Sequence, residues 1–222
     1  MDDSLFHQSS RVFVVDADPA LCAALRRVAD GENVEIDRYS TTDDFFAACS
    51  HDHQGCIFVD LDLPQLTGPA LFEDLARRHI FLPVVVVSAR GDAAAAVDAM
   101  KAGAVDYLQK PSDDESLFHA LRGALRWDQC YRREVLLGGK VRRKLEKLTA
   151  GELELLDLLV EGWSNRDAAT HLDRSVRAVE VRRAKLMKNL GAKSLADLVR
   201  MVITARHFGF GVPGNGFPRA PR

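Results

Sequence analysis

Cysteine is scarce in this chain and poorly placed for metal or disulfide chemistry. The four residues (Cys22, Cys49, Cys56 and Cys130) show no C-x-x-C spacing and lie mostly in apolar surroundings. They read as reduced core side chains. Long apolar runs are missing too, since none approaches the roughly 18 residues of a membrane-crossing helix. The opening MDDSLFHQ carries acids where a secretion signal would carry positive charge. A cytoplasmic protein with no membrane partner is therefore expected. With 47% hydrophobic and 28% charged residues over 222 positions, the chain can bury a core and is long enough for two ordinary domains.

Neither half of the chain is balanced in charge. The net charge of −2 conceals 10 Lys+Arg against 21 Asp+Glu in residues 1–125, and 20 against 11 in residues 126–222. An acidic module is joined to a basic one, and double-stranded DNA is the natural partner of the second.

In the first half, short apolar runs at 11–15, 34–38, 56–60, 83–88 and 104–108 read as strands. The segments 19–30, 42–50, 69–79, 92–102 and 114–126 between and after them have helical spacing. β-branched runs without polar alternation belong to strands covered on both faces. The expected fold for residues 1–126 is an α/β doubly wound five-stranded parallel sheet. Ligands of such sheets bind outside the carboxyl ends of the strands. There the sequence sets Asp16 and Asp18 after the first run, Asp60 at the end of the third, Ser88 at the end of the fourth, and Lys110-Pro111 after the fifth. Clustered carboxylates call for a cation, and oxygen-only ligands suit Mg²⁺. A lysine and a hydroxyl beside Asp60 suit a phosphoryl group, with Asp60 as the nucleophile. A hydrolase would need a histidine or cysteine partner, which this mouth lacks; the chain is not expected to be an enzyme.

Three stretches, DLDLPQLTG from Asp60 to Gly68, Ser88-Ala89, and MKAGAVDYLQKP from Met100 to Pro111, resemble a two-component receiver domain of the flavodoxin-like type. The resemblance implies that Asp60 accepts phosphate from a histidine kinase, that Lys110 pairs with the acceptor or the phosphate, and that Ser88 hydrogen-bonds a phosphoryl oxygen. Tyr107 would be the aromatic that reorients when Ser88 moves, Lys110-Pro111 would be cis, and the backbone carbonyl of Asp62 would join Asp16 and Asp60 on Mg²⁺. The family usually places two acids at positions 16 and 17, the second a direct ligand; here position 17 is Ala17. Asp18 either caps the following helix, with Pro19 in its first turn, or swings inward to replace the lost ligand. The alternative function follows from Ala17: an atypical regulator that works independently of phosphorylation.

From 149 onward only helical signals remain. Thr149…Glu152, Ser164…Asp167 and Ser194…Asp197 have the capping-box form, Ser175 is a fourth cap, and Gly162 and Gly191 stand just past helix ends. Helices are expected at 150–161, 165–172, 176–190 and 195–206, an all-α four-helix domain over 148–207 with a helix-turn-helix in its centre. Val176, Val179, Leu186 and Leu190 would form the apolar face of the third. The run GWSNRDAA from Gly162 to Ala169 and SVRAVEVRR from Ser175 to Arg183 resemble a LuxR-type DNA-binding domain. The two halves together resemble the NarL/FixJ response regulators, with Arg90-Gly91-Asp92 matching the FixJ-like branch. By that resemblance Glu180, Val181 and Ala184 would face bases, Arg177, Arg183, Lys185 and Lys188 would meet phosphates, and 195–206 would help form a homodimer when active. RNA polymerase is a further candidate partner. The family departures are Gly151, where an arginine is usual, and Arg182, where histidine is common. Residues 127–147 are expected to be a linker, helical in part and interrupted at Gly138-Gly139. Residues 208–222, rich in glycine and proline, are expected to be a disordered tail.

Overall fold

A computed structural model describes residues 10–209 apart from Gln65, Thr67 and Asp92, with side chains described as far as Arg206. The described residues form two compact units, 10–131 and 132–209. The first holds strands β1 (Ser10–Val15), β2 (Val34–Tyr39), β3 (Gly55–Asp60), β4 (Val84–Ser88) and β5 (Asp106–Gln109). Helices α1 (Pro19–Val28), α2 (Thr42–Ala48), α3 (Gly68–Arg77) and α4 (Ala93–Ala102) alternate with them, and α5 (Asp114–Leu145) follows. The strands lie in the order β2-β1-β3-β4-β5 and every pairing is parallel. The doubly wound expectation holds.

Period-two alternation divides each buried strand between two cores. Phe13, Val15, Ile57, Val59, Val84 and Val86 face one layer with Phe45 of α2, Leu71 and Leu75 of α3, and Ala99 of α4. Val12, Val14, Cys56, Phe58, Val85 and Val87 face the other, with Leu21 and Leu25 of α1 and Leu117 and Leu121 of α5. All four cysteines are free thiols; Cys22, Cys49 and Cys56 are buried and Cys130 is partly exposed. Burial pushes the Cys49 thiol up to about 12, so it stays protonated and behaves as a small apolar side chain.

The start of β3 shows how tightly the sheet is built. Gly55 has φ +129°, and a Cβ placed there would lie 1.8 Å from the Arg11 carbonyl oxygen. Its N–H donates to the buried carboxylate of Asp128 at 3.0 Å, which ties α5 to the edge of the sheet core.

The second unit contains α6 (Ala150–Val160), α7 (Asn165–His171), α8 (Val176–Leu190) and α9 (Leu195–Gly209) around a core that includes Leu155, Leu159, Ala168, Leu186 and Leu198. The expected caps are in place. Ser164 accepts from the Asp167 amide, Ser175 from Ala178 and Ser194 from Asp197. Glu152 accepts from both the amide and the hydroxyl of Thr149. Gly191 ends α8 with φ 80°, the left-handed turn that favours glycine.

Three expectations are corrected. Val176 is 40% exposed: it occupies the first position of α8, ahead of the turns that reach the core, so the apolar face begins at Val179. The linker is not interrupted at Gly138-Gly139, because α5 runs unbroken to Leu145. Two glycines cost a helix about 1 kcal/mol each. Against that stand the burial of Val141, the Arg142–Glu146 pair one turn apart, and the Lys144 ammonium donating to the Leu190 carbonyl at 2.9 Å. Lastly, α9 extends to Gly209, past the expected end at 206 and into the expected tail; residues 210–222 lie outside the described residues.

Replacing Gly55 by alanine should therefore displace the Arg11 backbone. A loss of about 3 kcal/mol in unfolding free energy is expected from urea denaturation, and wild-type stability in Gly55→Ala would contradict this account of the β3 entry.

Candidate functional site

The strand order reverses between β1 and β3, and there the carboxyl ends open onto a shared mouth. Val15 is opposite Val59 in the ladder, so Asp16, one residue on, lies beside Asp60. Both are nearly inaccessible, at 1% and 8% exposure. Two buried carboxylates repel, and the Lys110 ammonium resolves the repulsion by donating to Asp16 Oδ2 at 2.7 Å and Asp60 Oδ2 at 2.8 Å. Burial alone would lower the Lys110 pKa, but these hydrogen bonds and the two negative charges outweigh it and raise the pKa. Lys110 is held in turn by its own amide, which donates to the Ser88 carbonyl at 2.8 Å, and the Lys110–Pro111 bond is cis.

The remaining carboxylate oxygens are also engaged. Asp16 Oδ1 accepts from the Asp18 amide at 2.7 Å, and Asp60 Oδ1 from the Asp62 amide at 2.9 Å. Asp18 itself caps α1, accepting from the Ala20 amide at 2.9 Å. Of the two alternatives for Asp18, the structure has the cap. Arg38, at the end of β2, donates through Nη1 to the carbonyls of Asp16 (3.0 Å) and Ala17 (2.9 Å), which places a guanidinium beside the position where the second acid would stand.

Asp62 contributes its side chain as well as its backbone. Its Oδ2 accepts from the Ser88 hydroxyl at 3.1 Å and the Ala89 amide at 2.7 Å, while Oδ1 lies 3.2 Å from Arg90 Nε. The Ala89 N–H, followed by Ser88 and the Arg90 charge, outweighs partial burial and holds the Asp62 carboxyl below the usual carboxylate range. Ser88 also accepts from the Arg90 amide, and the Tyr107 hydroxyl donates to the Arg90 carbonyl. One short loop thus links Ser88 to Tyr107.

In the helical unit, the exposed side of α8 carries Arg177, Glu180, Val181, Ala184, Lys185 and Lys188. Their i, i+3, i+4 spacing puts them on one stripe, opposite Val179, Leu186 and Leu190. Val181, at 65% exposure, is a large apolar side chain left in solvent. The basic residues are not equivalent. Lys185 pairs with Glu152 at 3.0 Å and Arg183 donates to Asn165 Oδ1 at 2.9 Å. The guanidinium of Arg182 lies above Gly151, 3.4 Å from where a Cβ would be, and fills the space that glycine leaves.

Residues 12–122 match the response regulator receiver domain, and residues 146–202 match the luxR family of bacterial regulatory proteins. The transcriptional regulatory protein FixJ of Azorhizobium caulinodans is 33% identical over 198 residues, covering 89% of this chain and 94% of that protein. Nodulation protein W of Bradyrhizobium diazoefficiens is 30% identical, covering 86% and 84%. The solved structure of the response regulator StyR aligns with a TM-score of 0.63 at 29% identity, covering 88% of this chain and 99% of that one. The chain belongs to the NarL/FixJ family of response regulators. It is a DNA-binding transcriptional regulator of the FixJ and LuxR type, and no helix among its described residues is long and apolar enough to cross a membrane.

Receiver domains generally bind Mg²⁺ at the phosphorylation site. The donors here fit a hard cation in kind, being all oxygen: the Asp16 and Asp60 carboxylates and the Asp62 carbonyl. They fall short in number, because Ala17 offers no carboxylate and no three metal-ligating side chains converge among the described residues. Reading the sequence alone missed the Asp62 side chain, Arg90 and Arg38. The opposite charges of Asp62 and Arg90 flanking Ser88 across the β3 and β4 ends were the available signal.

The second family unit carries its own titration marker. Glu152, bonded by the Thr149 amide and then by Lys185 and the Thr149 hydroxyl, is held down at about 2. A depressed carboxylate contributes stability that is present above its ordinary pKa and lost as pH falls toward the folded value. The α6–α9 transition in calorimetry should therefore weaken between about pH 4.5 and pH 2, and Glu152→Gln should flatten that slope; an unchanged slope would place the acid sensitivity elsewhere.

Proposed function

We propose that Asp60 is the phosphoacceptor and that its phosphorylation by a histidine kinase controls dimerisation and promoter binding. The observation that supports this most directly is the Lys110 ammonium shared between Asp16 and Asp60. A cation poised on the acceptor oxygen can follow the incoming charge with little reorganisation. In the transfer, an Asp60 oxygen attacks phosphorus, the phosphorus–nitrogen bond of the kinase phosphohistidine breaks, and the leaving imidazole takes a proton from solvent. Lys110 then pairs with the phosphoryl group, and the Ser88 hydroxyl donates to another of its oxygens. Asp16, Asp60 and the Asp62 carbonyl would hold Mg²⁺, which when bound neutralises charge on the phosphoryl oxygens. Tyr107 reports the change, because its hydroxyl is bonded to the loop that carries Ser88. The output is a population shift of the receiver toward a state that pairs with a second copy.

In the DNA complex, α8 enters a major groove with Glu180, Val181 and Ala184 toward base edges. Arg177 and Lys188 reach phosphates directly, while Lys185 and Arg183 must first leave Glu152 and Asn165. A second reading, a regulator that works without phosphate, draws on Ala17 and on the Arg38 guanidinium beside it.

Acetyl phosphate labelling separates the two readings. Wild type is expected to label, Asp60→Asn to remain unlabelled, and Ala17→Asp to label at lower Mg²⁺; absence of label in wild type even at high Mg²⁺ would favour the second reading. On the DNA side, Arg177→Ala and Lys188→Ala should each reduce the slope of log affinity against log salt by about one. An unchanged slope would remove that residue from the interface.

A further inference from the structure

The donors that a phosphoryl group on Asp60 would need are already occupied, and the occupant is another carboxylate of this chain. Asp60 is opposite Val87 in the β3–β4 ladder, so the Ser88 hydroxyl and the Ala89 amide are the next donors along the neighbouring strand end. Both donate to Asp62 Oδ2, at 3.1 and 2.7 Å. The other oxygen of the same carboxylate is 3.2 Å from Arg90 Nε. Asp62 is thus satisfied on both oxygens, with one anionic group bridging a hydroxyl, a backbone amide and a guanidinium. A phosphoryl oxygen makes the same kind of contact with the same donors.

We propose that the Asp62 side chain is an internal competitor for the phosphoryl site, latched by Arg90, and that Asp60 can be fully phosphorylated only when Asp62 swings out. The idea rests on Asp60 and Ser88 serving as the acceptor and the phosphoryl donor described above. Three consequences follow from the geometry. Two anions cannot share the Ser88 hydroxyl and the Ala89 amide, so occupancy by one excludes the other. Release of Asp62 frees Arg90, the one guanidinium on that loop, to meet the phosphoryl charge or solvent. Because the Arg90 carbonyl accepts from Tyr107 and its amide donates to Ser88, displacement of Asp62 loosens the segment that holds the Tyr107 hydroxyl. The competitor therefore sets both how readily phosphate is accepted and how firmly the unphosphorylated arrangement is kept.

The test is binding of beryllium fluoride to the full-length protein at saturating Mg²⁺, read by ¹⁹F NMR, which needs no turnover. Asp62→Asn and Asp62→Ala are expected to bind about tenfold more tightly than wild type, the scale of one lost charge-assisted contact. Removing a negative charge would attract an anion for simple electrostatic reasons, so Arg90→Ala is the deciding variant. Loss of a positive charge alone predicts weaker binding, whereas loss of the latch predicts tighter binding. The latch further requires that Arg90→Ala give no gain in an Asp62→Ala background. Weaker or unchanged binding in Arg90→Ala, with Asp60→Asn silent as control, overturns the competitor and leaves the acceptor standing. Undiminished binding in Asp60→Asn, or none in any variant, overturns both.

Discussion

The receiver mouth depends on one ammonium group. Asp16 and Asp60 are brought together by the parallel register of β1 and β3, and both are buried where water cannot screen them. The Lys110 ammonium bridges the two carboxylates, at 2.7 and 2.8 Å, and offsets their mutual repulsion in a poorly solvated site. The sheet is arranged to deliver that lysine: β5 pairs with β4, and the Lys110 amide bonds the Ser88 carbonyl, so acceptor, hydroxyl and lysine are referred to one backbone frame. Packing on both faces of the sheet, from Phe13 and Val59 on one side to Val14 and Phe58 on the other, holds that frame rigid.

The helical unit meets a related electrostatic problem in the opposite way. Its stripe on α8 is strongly basic, yet two of the basic groups are engaged within the fold, Lys185 with Glu152 and Arg183 with Asn165. Contacts of that kind orient α8 against α6 and α7 and leave the charge on its outer side available to a polyanion. In the proposed DNA complex, a phosphate that draws Lys185 away from Glu152 must offset the lost pair, so Lys185 would contribute less to affinity than its exposure suggests. For Arg177 and Lys188 no ion pair is seen among the described residues, and in the proposed complex they would carry no such cost. Arg182 Nη1 stands at ordinary contact distance, 3.4 Å, from where a Cβ at Gly151 would lie, so this side chain of α8 packs directly over α6.

Most of the scaffold was legible in the residues, and for identifiable reasons. Runs such as VFVV and VVVV can be covered on both faces only in a parallel sheet, and the rule for strand ends then selected Asp16, Asp60, Ser88 and Lys110 without knowledge of any side-chain position. Serine and threonine caps marked the starts of α6, α7, α8 and α9 because a short polar side chain satisfies an orphan amide wherever it occurs. What escaped was decided by tertiary contacts. Gly138-Gly139 looks like a break until Val141 is seen to be buried and Lys144 to donate to the Leu190 carbonyl. Val176 fits the apolar periodicity of α8 but precedes its covered turns. The resemblance implies only a backbone role for Asp62, and nothing in local pattern says that its carboxylate reaches across to the end of β4.

Ala17 and Asp62 both bear on the charge balance of the mouth. The mouth holds three carboxylates, Asp16, Asp60 and Asp62, against Lys110 and Arg90, a formal balance of −1. An acid at position 17 would make it −2 and would favour a divalent cation. Alanine there, with the Arg38 guanidinium on the adjoining carbonyls, lowers the attraction for a cation and also lowers the repulsion toward an incoming dianionic phosphoryl group. Asp62 is the one carboxylate of the three with an exposed pairing partner and no bond to Lys110, which makes it the one that leaves in the proposed displacement. Its departure takes the balance of the inner site, Asp16, Asp60, Lys110 and a freed Arg90, to zero. On the proposed displacement of Asp62, the mouth is most receptive to phosphate in the arrangement that also releases the Ser88 hydroxyl, and Ala17 acts on the same electrostatic balance.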